Sequence, residues 1–249
     1  MTTVAIIPAR MGSSRFPGKP LAPLMGRPMI EHVYKRTAMS ETLSGVHVAT
    51  CDEAIREAVE AFGGIAIMTS DRHERASDRI AEAMDSLEAD VVVMVQGDEP
   101  MVHPRMIDTA ARALGENPNI GCVNLFRRIE TEADFNNPNT IKVVMDGEGR
   151  ALFFSRRPIP DRPNGDFTAI AAYKQVCIMP FRRDALKTFA ALAPTPLEIA
   201  ESVDMMRFLE HGYAVHMAET SFDTQAVDTP EELARVEALM SDDPLLKNY

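Results

Sequence analysis

The 249-residue sequence predicts an α/β fold on a mostly parallel, doubly wound sheet, with a mixed antiparallel second half. Three observations carry this. Short β-branched runs alternate with amphipathic stretches up to residue 117, the rhythm of βαβ units. The run DVVVMVQG (90–97) is continuously apolar, as in a strand covered on both faces. Beyond about residue 120 the rhythm gives way to runs that pair as antiparallel strands.

The elements follow in order. VAIIPA (4–9) reads as a first strand and PMIEHVYKRTAMS (28–40) as a helix with Ile30, Val33 and Tyr34 on one face. GVHVAT (45–50) is a strand; DEAIREAVEAFGG (52–64) is a helix with Asp52 as N-cap and a glycine stop. IAIMT (65–69) is a strand, SDRIAEAMDSL (77–87) a helix capped by Ser77, and HPRMIDTAARALGEN (103–117) a helix with proline near its start. GCVNLFRR and TIKVVMDGEGRALFFSR read as antiparallel strands, with DGEGR (146–150) turning a hairpin. KQVCIMPF (174–181) is one strand, LEIAESVDMMRFLEHG (197–212) one helix, and AVHMAE (214–219) a further strand. TPEELARVEALM (229–240) closes as a helix, capped by Asp228 or Thr229 with Glu232 as the capping-box partner. The tail SDDPLLKNY reads as short, polar and frayed. No linker or repeat appears, so residues 1–249 are expected to form one domain, with roughly 121–220 as an acceptor-binding and dimerisation subregion.

Composition excludes several classes. A hydrophobic share of 45% and a charged share of 25% are those of a soluble globular protein. A net charge of −11 argues against a nucleic-acid partner. No apolar run approaches the ~20 residues of a membrane span, and MTTVAIIPAR does not read as a signal peptide. Cys51, Cys122 and Cys177 have neither disulfide nor zinc spacing, which points to buried thiols in the cytoplasm. The six histidines show no ligand spacing.

In open parallel sheets, ligands bind beyond the carboxyl ends of the strands. Three charged loops fall there: residues 10–19, Asp98 with Glu99, and Asp228. The first loop, ARMGSSRFPGKPL, is not a Walker A loop: Gly12 and Gly18 are one residue too far apart, and Pro20 follows Lys19 where a hydroxyl is required. It is not a G-x-G-x-x-G fingerprint either. What remains is a glycine-bearing loop in which Arg10 and Arg15 can fork onto phosphate oxygens and Lys19 adds a point charge. Asp98 ends a buried strand, where a carboxylate needs a metal or hydrogen-bond partners. Asp228, taken by itself, reads first as a plain helix cap.

IPARMGSSRFPGKPL, VQGDEP (95–100), FNNPNTIKVVMDGEGRALFFSR (135–156) and VDTPEEL (227–233), in that order, resemble the 3-deoxy-manno-octulosonate (Kdo) cytidylyltransferase family of acidic-sugar cytidylyltransferases. The resemblance runs from residue 4 to about residue 238. It implies a Rossmann-like sheet of the nucleotide-diphospho-sugar transferase type, a homodimer, and the reaction CTP + Kdo → CMP-Kdo + pyrophosphate in lipopolysaccharide or surface-glycan precursor synthesis. By the same resemblance, Ala9, Arg10, Gly12, Ser13, Arg15, Lys19, Arg79 and Gln96 would bind CTP, and Asp98 and Asp228 would hold Mg²⁺. Lys19 and Arg10 would act with those two aspartates in catalysis, and Gln96 would also touch the acceptor or ribose. Pyrimidine selection would come from the first loop and residues 73–79.

The acceptor half departs from the family. H-x-S-G-T-[DE]-R becomes HERASDR (73–79), H-x-G-I-Y becomes QVCIM (175–179), and E-x-x-E-Q-L-R becomes ESVDMMR (201–207). The expected acceptor-binding residues are therefore Arg75, Gln96, Arg156, Gln175, Met179, Glu201, Asp204 and Met205. The acceptor stays open at this point: Kdo, an amino- or deoxy-variant, another acid sugar, or a small phosphonate for which Arg75 supplies charge. A non-catalytic nucleotide sensor would be expected to lack the basic loop or the aspartates, and both are present.

Overall fold

A computed structural model describes residues 1–12 and 15–249. The apolar run after Thr2 forms β1 (Thr3–Ala9), every residue of which is buried. A single 3-10 turn at Lys19–Leu21 and a two-residue ribbon, β2 (Pro23–Leu24) with β3 (Arg27–Pro28), lead into α1 (Met29–Thr37). β4 (Gly45–Thr50), α2 (Glu53–Ala61), β5 (Ala66–Met68), α3 (Ala76–Met84), β6 (Val91–Val95) and α4 (Pro104–Glu116) continue the alternation. The second half contains β7 (Val123–Arg128), α5 (Glu132–Asn136), β8 (Lys142–Met145), β9 (Ala151–Ser155) and β10 (Tyr173–Val176). β11 (Ile178–Arg182), α6 (Arg183–Ala191), α7 (Pro196–Glu201), α8 (Met205–Glu210), β12 (His216–Glu219) and α9 (Pro230–Met240) complete it.

The central sheet has the order β11-β6-β1-β4-β5, parallel except for β11, which runs antiparallel to β6. One large apolar cluster, with Ile6, Met94 and Phe181, and another, with Ile7, Val93 and Ile107, bury the sheet between them. Strand order reverses at β1, whose successors lie on opposite sides, and that opens a crevice beyond the carboxyl ends of β1 and β6. A second sheet, ordered β12-β7-β10-β8-β9, is antiparallel apart from the β12–β7 pair.

The structure departs from the sequence expectation at several points. The run expected as one strand at 174–181 turns at Cys177, leaving β10 in the second sheet and β11 in the central one. Both cores demand apolar side chains, and no glycine or proline marks the turn. Pro180 fits because β11 is an edge strand. The helix expected over 197–212 is two, α7 and α8, separated at Ser202, which sits in the left-handed region at φ 52°. Ser77 does not cap α3; it lies inside the helix, buried, and its hydroxyl donates to Asp204. Asp52 stands at the start of α2 but accepts from the Met11 amide at 2.8 Å rather than from its own helix. α6 has no counterpart in the sequence reading. The tail is not frayed: Pro244–Asn248 form a 3-10 turn, and the Tyr249 hydroxyl lies 2.8 Å from His32 Nδ1 and accepts from Arg36 Nε at 3.0 Å. Among the described residues no helix is long and apolar enough to cross a membrane.

Candidate active site

Two backbone features fix the geometry where β1 and β6 end. A Cβ on Gly97 would stand 2.6 Å from the Pro8 carbonyl, so only glycine lets the end of β6 close onto β1. The Val227 amide donates to the Asp98 carbonyl at 2.9 Å, which brings the chain before α9 alongside. Thr229, with Glu232, caps α9, so the Asp228 carboxylate is free to face the crevice. Its cap role thus falls to its neighbour.

Lys19 is held in place by the left-handed Gly18 before it (φ 75°) and its 3-10 turn. Its ammonium donates to Asp98 Oδ2 at 2.7 Å and to Asp228 Oδ1 at 3.0 Å. Arg15 adds an ion pair to Asp228 Oδ2 at 3.0 Å. Burial works against the charge on Lys19, but the two carboxylates outweigh it and hold its pKa above the ordinary lysine value.

These groups line a cavity of about 310 Å³ that also includes Ala9, Arg10, Gly12, Arg79 and Gln96. Every expected CTP-binding residue therefore lines one space except Ser13, which lies outside the described residues. Arg79 is buried and donates to Thr69 Oγ1 at 2.5 Å and to the Ser70 and His73 carbonyls, shaping the 70–75 loop. His73 and Glu74 also line this cavity; the sequence reading named only their segment.

A second cavity of about 330 Å³ adjoins the first, sharing Arg15, Ala76, Gln96, Asp98 and Asp228. It contains Arg156, Gln175, Met179, Asp204 and Met205 from the expected acceptor set. The Arg156 guanidinium donates to the carbonyls of Glu201 (2.7 Å), Pro138 (3.1 Å) and Ser202 (3.3 Å), so its charge is oriented but not cancelled by these neighbours. Glu201 does not line the cavity: it accepts from the Arg156 amide at 2.8 Å and from Ser155, and so positions Arg156. Arg75 is also displaced from its expected role. It lines the first cavity and not the second, and its guanidinium is engaged with Glu198 (3.7 Å), Asp204 (3.8 Å) and Ser202 (3.0 Å).

In the sequence Glu99 stands out only as a charged loop residue. Its carboxyl lines the second cavity, and burial together with neighbouring Asp98 raises its pKa to about 7, against the hydroxyl that Thr224 donates. Burial likewise raises Asp204, although Ser77 and Arg75 face it. Lys174, Asn139 and Thr224 also line this cavity and were not among the expected site residues; Asn139 lies within the 135–156 motif and Lys174 beside the 175–179 motif. Asn139 accepts from Arg15 at 3.4 Å.

The donor set at Asp98 and Asp228 suits a hard divalent cation. Two carboxylates from distant loops already converge on one ammonium. Among the described residues no group of three His, Cys, Asp or Glu side chains gathers, so the remaining ligands would be substrate oxygens and water, the usual pattern for Mg²⁺.

Comparison with known proteins agrees with this geometry. A cytidylyltransferase family model matches residues 4–241. A Geobacter metallireducens protein named 3-deoxy-manno-octulosonate cytidylyltransferase is 47% identical over 245 residues, covering 95% of this chain and 96% of its own. A Syntrophus aciditrophicus protein of the same name is 48% identical over 240 residues, covering 95% and 96%. A structure of CMP:2-keto-3-deoxy-manno-octonic acid synthetase complexed with CTP superposes with a TM-score of 0.90 at 40% identity, covering 97% of this chain and 99% of that one. With a basic crevice opening onto a second cavity, and with likeness along nearly its whole length, the chain belongs to the cytidylyltransferase family, in the branch that holds the 3-deoxy-manno-octulosonate enzymes.

Proposed function

We propose that the chain transfers CMP from CTP to Kdo, forming CMP-Kdo and releasing pyrophosphate, as a step in lipopolysaccharide or surface-glycan precursor synthesis. One observation carries this reading: the basic cavity and the Arg156 cavity meet at Gln96, Asp98 and Asp228, so a nucleotide in one presents its α-phosphate to an acceptor in the other. The acceptor's anomeric hydroxyl attacks the α-phosphorus in line, one P–O bond forms, the hydroxyl's proton leaves to solvent, and the bond to pyrophosphate breaks. Such a step needs positioning and charge neutralisation more than covalent help. Arg10, Arg15 and Lys19 hold the triphosphate and offset charge on the leaving pyrophosphate. Arg156 receives the acceptor's carboxylate. Asp98 and Asp228 would hold Mg²⁺, which when bound neutralises phosphate oxygens. Lys19, between the two aspartates, offsets their mutual repulsion.

The deciding assay combines CTP, Mg²⁺ and a panel of Kdo, other acid sugars and phosphonates, read as pyrophosphate release, with UTP in competition. Kdo is expected to be turned over and UTP to compete poorly; release only with a phosphonate would reject Kdo. Arg75, the residue that suggested a phosphonate, lines the nucleotide cavity and not the acceptor cavity.

The same reading includes a cytoplasmic homodimer. Three free cysteines suit a reducing compartment. Exposed Leu152 on edge strand β9, with Leu197 and Ile199 on α7, supplies apolar surface in the acceptor-binding half (121–220).

A further inference from the structure

Lys142 on β8 is fully buried, and the reaction described above makes no use of it. Its ammonium has three protons and directs each at a backbone carbonyl: Thr140 at 2.6 Å, Arg156 at 2.7 Å and Asn137 at 2.9 Å. A buried cation whose partners are neutral carbonyls is costly. Burial, with Arg156 nearby, pushes its pKa down to about 8, against the pull of Glu201. A methionine would fill the same space without that cost. It could not hold three carbonyls together, because they repel one another without a shared donor. The segments so gathered are walls of the acceptor cavity: Asn137, Asn139, Thr140 and Arg156 all line it. Arg156 is gripped on both sides of its backbone, its amide by Glu201 at 2.8 Å and its carbonyl by Lys142. Its guanidinium donates back to the Pro138 carbonyl at 3.1 Å, and Asn139 meets Arg15 of the basic loop at 3.4 Å. One ammonium thus ties together the 137–140 loop, the end of β9 and, through Asn139, the basic loop.

We propose that Lys142 is a positioning residue: its ammonium gathers the Asn137, Thr140 and Arg156 carbonyls and so holds the Arg156 guanidinium at the acceptor cavity, in register with the basic loop. This rests on the acid-sugar reading above. All three protons of Lys142 are taken, so it acts through Arg156 rather than on substrate. A neutral amine would set its lone pair against one of the three carbonyls, so the wall keeps its shape only while the ammonium is charged. The charged groups around it are Arg156 and Glu201, Lys174 opposite on β10, which pairs with Asp223, and Asp134 on α5, which accepts from Thr131.

The test is steady-state kinetics of the full chain with CTP, Mg²⁺ and Kdo, for the parent, for Lys142→Met, and for Lys142→Ala with n-propylammonium or n-propanol added. Lys142→Met is expected to raise the Kdo KM by about 10–100-fold, the scale of a small misplacement of a binding group, and to leave CTP binding, read by calorimetry, unchanged. In Lys142→Ala, n-propylammonium replaces the missing methylenes and the ammonium and is expected to lower the Kdo KM again. Propanol fills the space with a single donor and is expected not to. In the parent, the Kdo KM is expected to rise several-fold between pH 8 and 9.5 as the ammonium loses its proton, above the range in which Glu99 titrates, while the CTP KM stays level; in Lys142→Met that rise is absent. A Lys142→Met enzyme that folds with the parent's Kdo KM overturns the proposal, and so does equal rescue by n-propanol and n-propylammonium, which would make Lys142 a packing residue. If neither variant folds, the pH profile of the parent decides alone: a Kdo KM flat from pH 8 to 9.5 overturns it. Absence of pyrophosphate release by the parent with every acid sugar would instead overturn the functional reading, and this proposal with it.

Discussion

Asp98 and Asp228 share a single ammonium, and each also has a backbone or ion-pair tie that places it. Asp98→Asn keeps the shape and removes the charge. Turnover is expected to fall by about 10²–10³-fold, the size of losing one preorganised charge contact, while calorimetry should show CTP binding reduced far less. Loss of CTP binding in step with turnover would mean that Asp98 serves the fold rather than the reaction. Glu99 makes a separate prediction. Its carboxyl is neutral-favouring in the folded chain, with a pKa moved from 4.5 to about 7 chiefly by burial. Between those values the native state holds a proton that the unfolded state has released, so stability falls as pH rises through that window. The total change across it amounts to on the order of 3 kcal/mol. Urea midpoints at pH 4.5 and 7.5 should show it in the parent, and Glu99→Gln should flatten it.

At the scale of elements, the breaks matter more than the regular segments. The interruption between α7 and α8 is held by side chains from α3: Ser77 donates to Asp204, and buried Arg207 binds both Asp78 at 2.8 Å and fully buried Glu198 at 2.7 Å. Arg207 also lies over the Phe189 ring at 4.4 Å. Arg207→Leu strands two carboxylates, one of them fully buried, and is expected to cost about 3–5 kcal/mol, read from urea denaturation. The junction of β6 with β1 gives a second check. Gly97→Ala drives a Cβ into the Pro8 carbonyl, so a loss of about 1–3 kcal/mol is expected, together with a raised CTP KM as the loop bearing Asp98 shifts. An unchanged CTP KM would show that the close approach serves packing alone.

For the whole molecule, two cavities become one reaction space only because the second sheet docks its Arg156 and Gln175 beside the crevice of the first. Cys177 is the pivot, between β10 in one sheet and β11 in the other. The proposed homodimer is tested at this scale. Light scattering is expected to give twice the 27.5 kDa chain mass. Leu152→Glu, placing a charge on the exposed edge strand, is expected to shift the population toward single chains without changing the chain's fold by circular dichroism.

The amino-acid order determined the parallel half of the fold, since hydrophobic period and caps are local and each βαβ unit is nearly self-contained. It also marked the basic loop and Asp98 as chemically unusual at strand ends, while Asp228 stood out only through the family resemblance. Tertiary structure decided the rest. A single apolar run at 174–181 satisfies either one strand or two, and only packing against two separate cores chose two. A helical period across 197–212 is broken at Ser202, whose hydroxyl and carbonyl accept from Arg75 and Arg156. Arg75 read as a free cation until folding placed Glu198 and Asp204 against it, and Glu201 as a ligand contact until it proved to orient Arg156. The partners of Lys142 were beyond the sequence altogether, because they are backbone carbonyls that only the fold brings together.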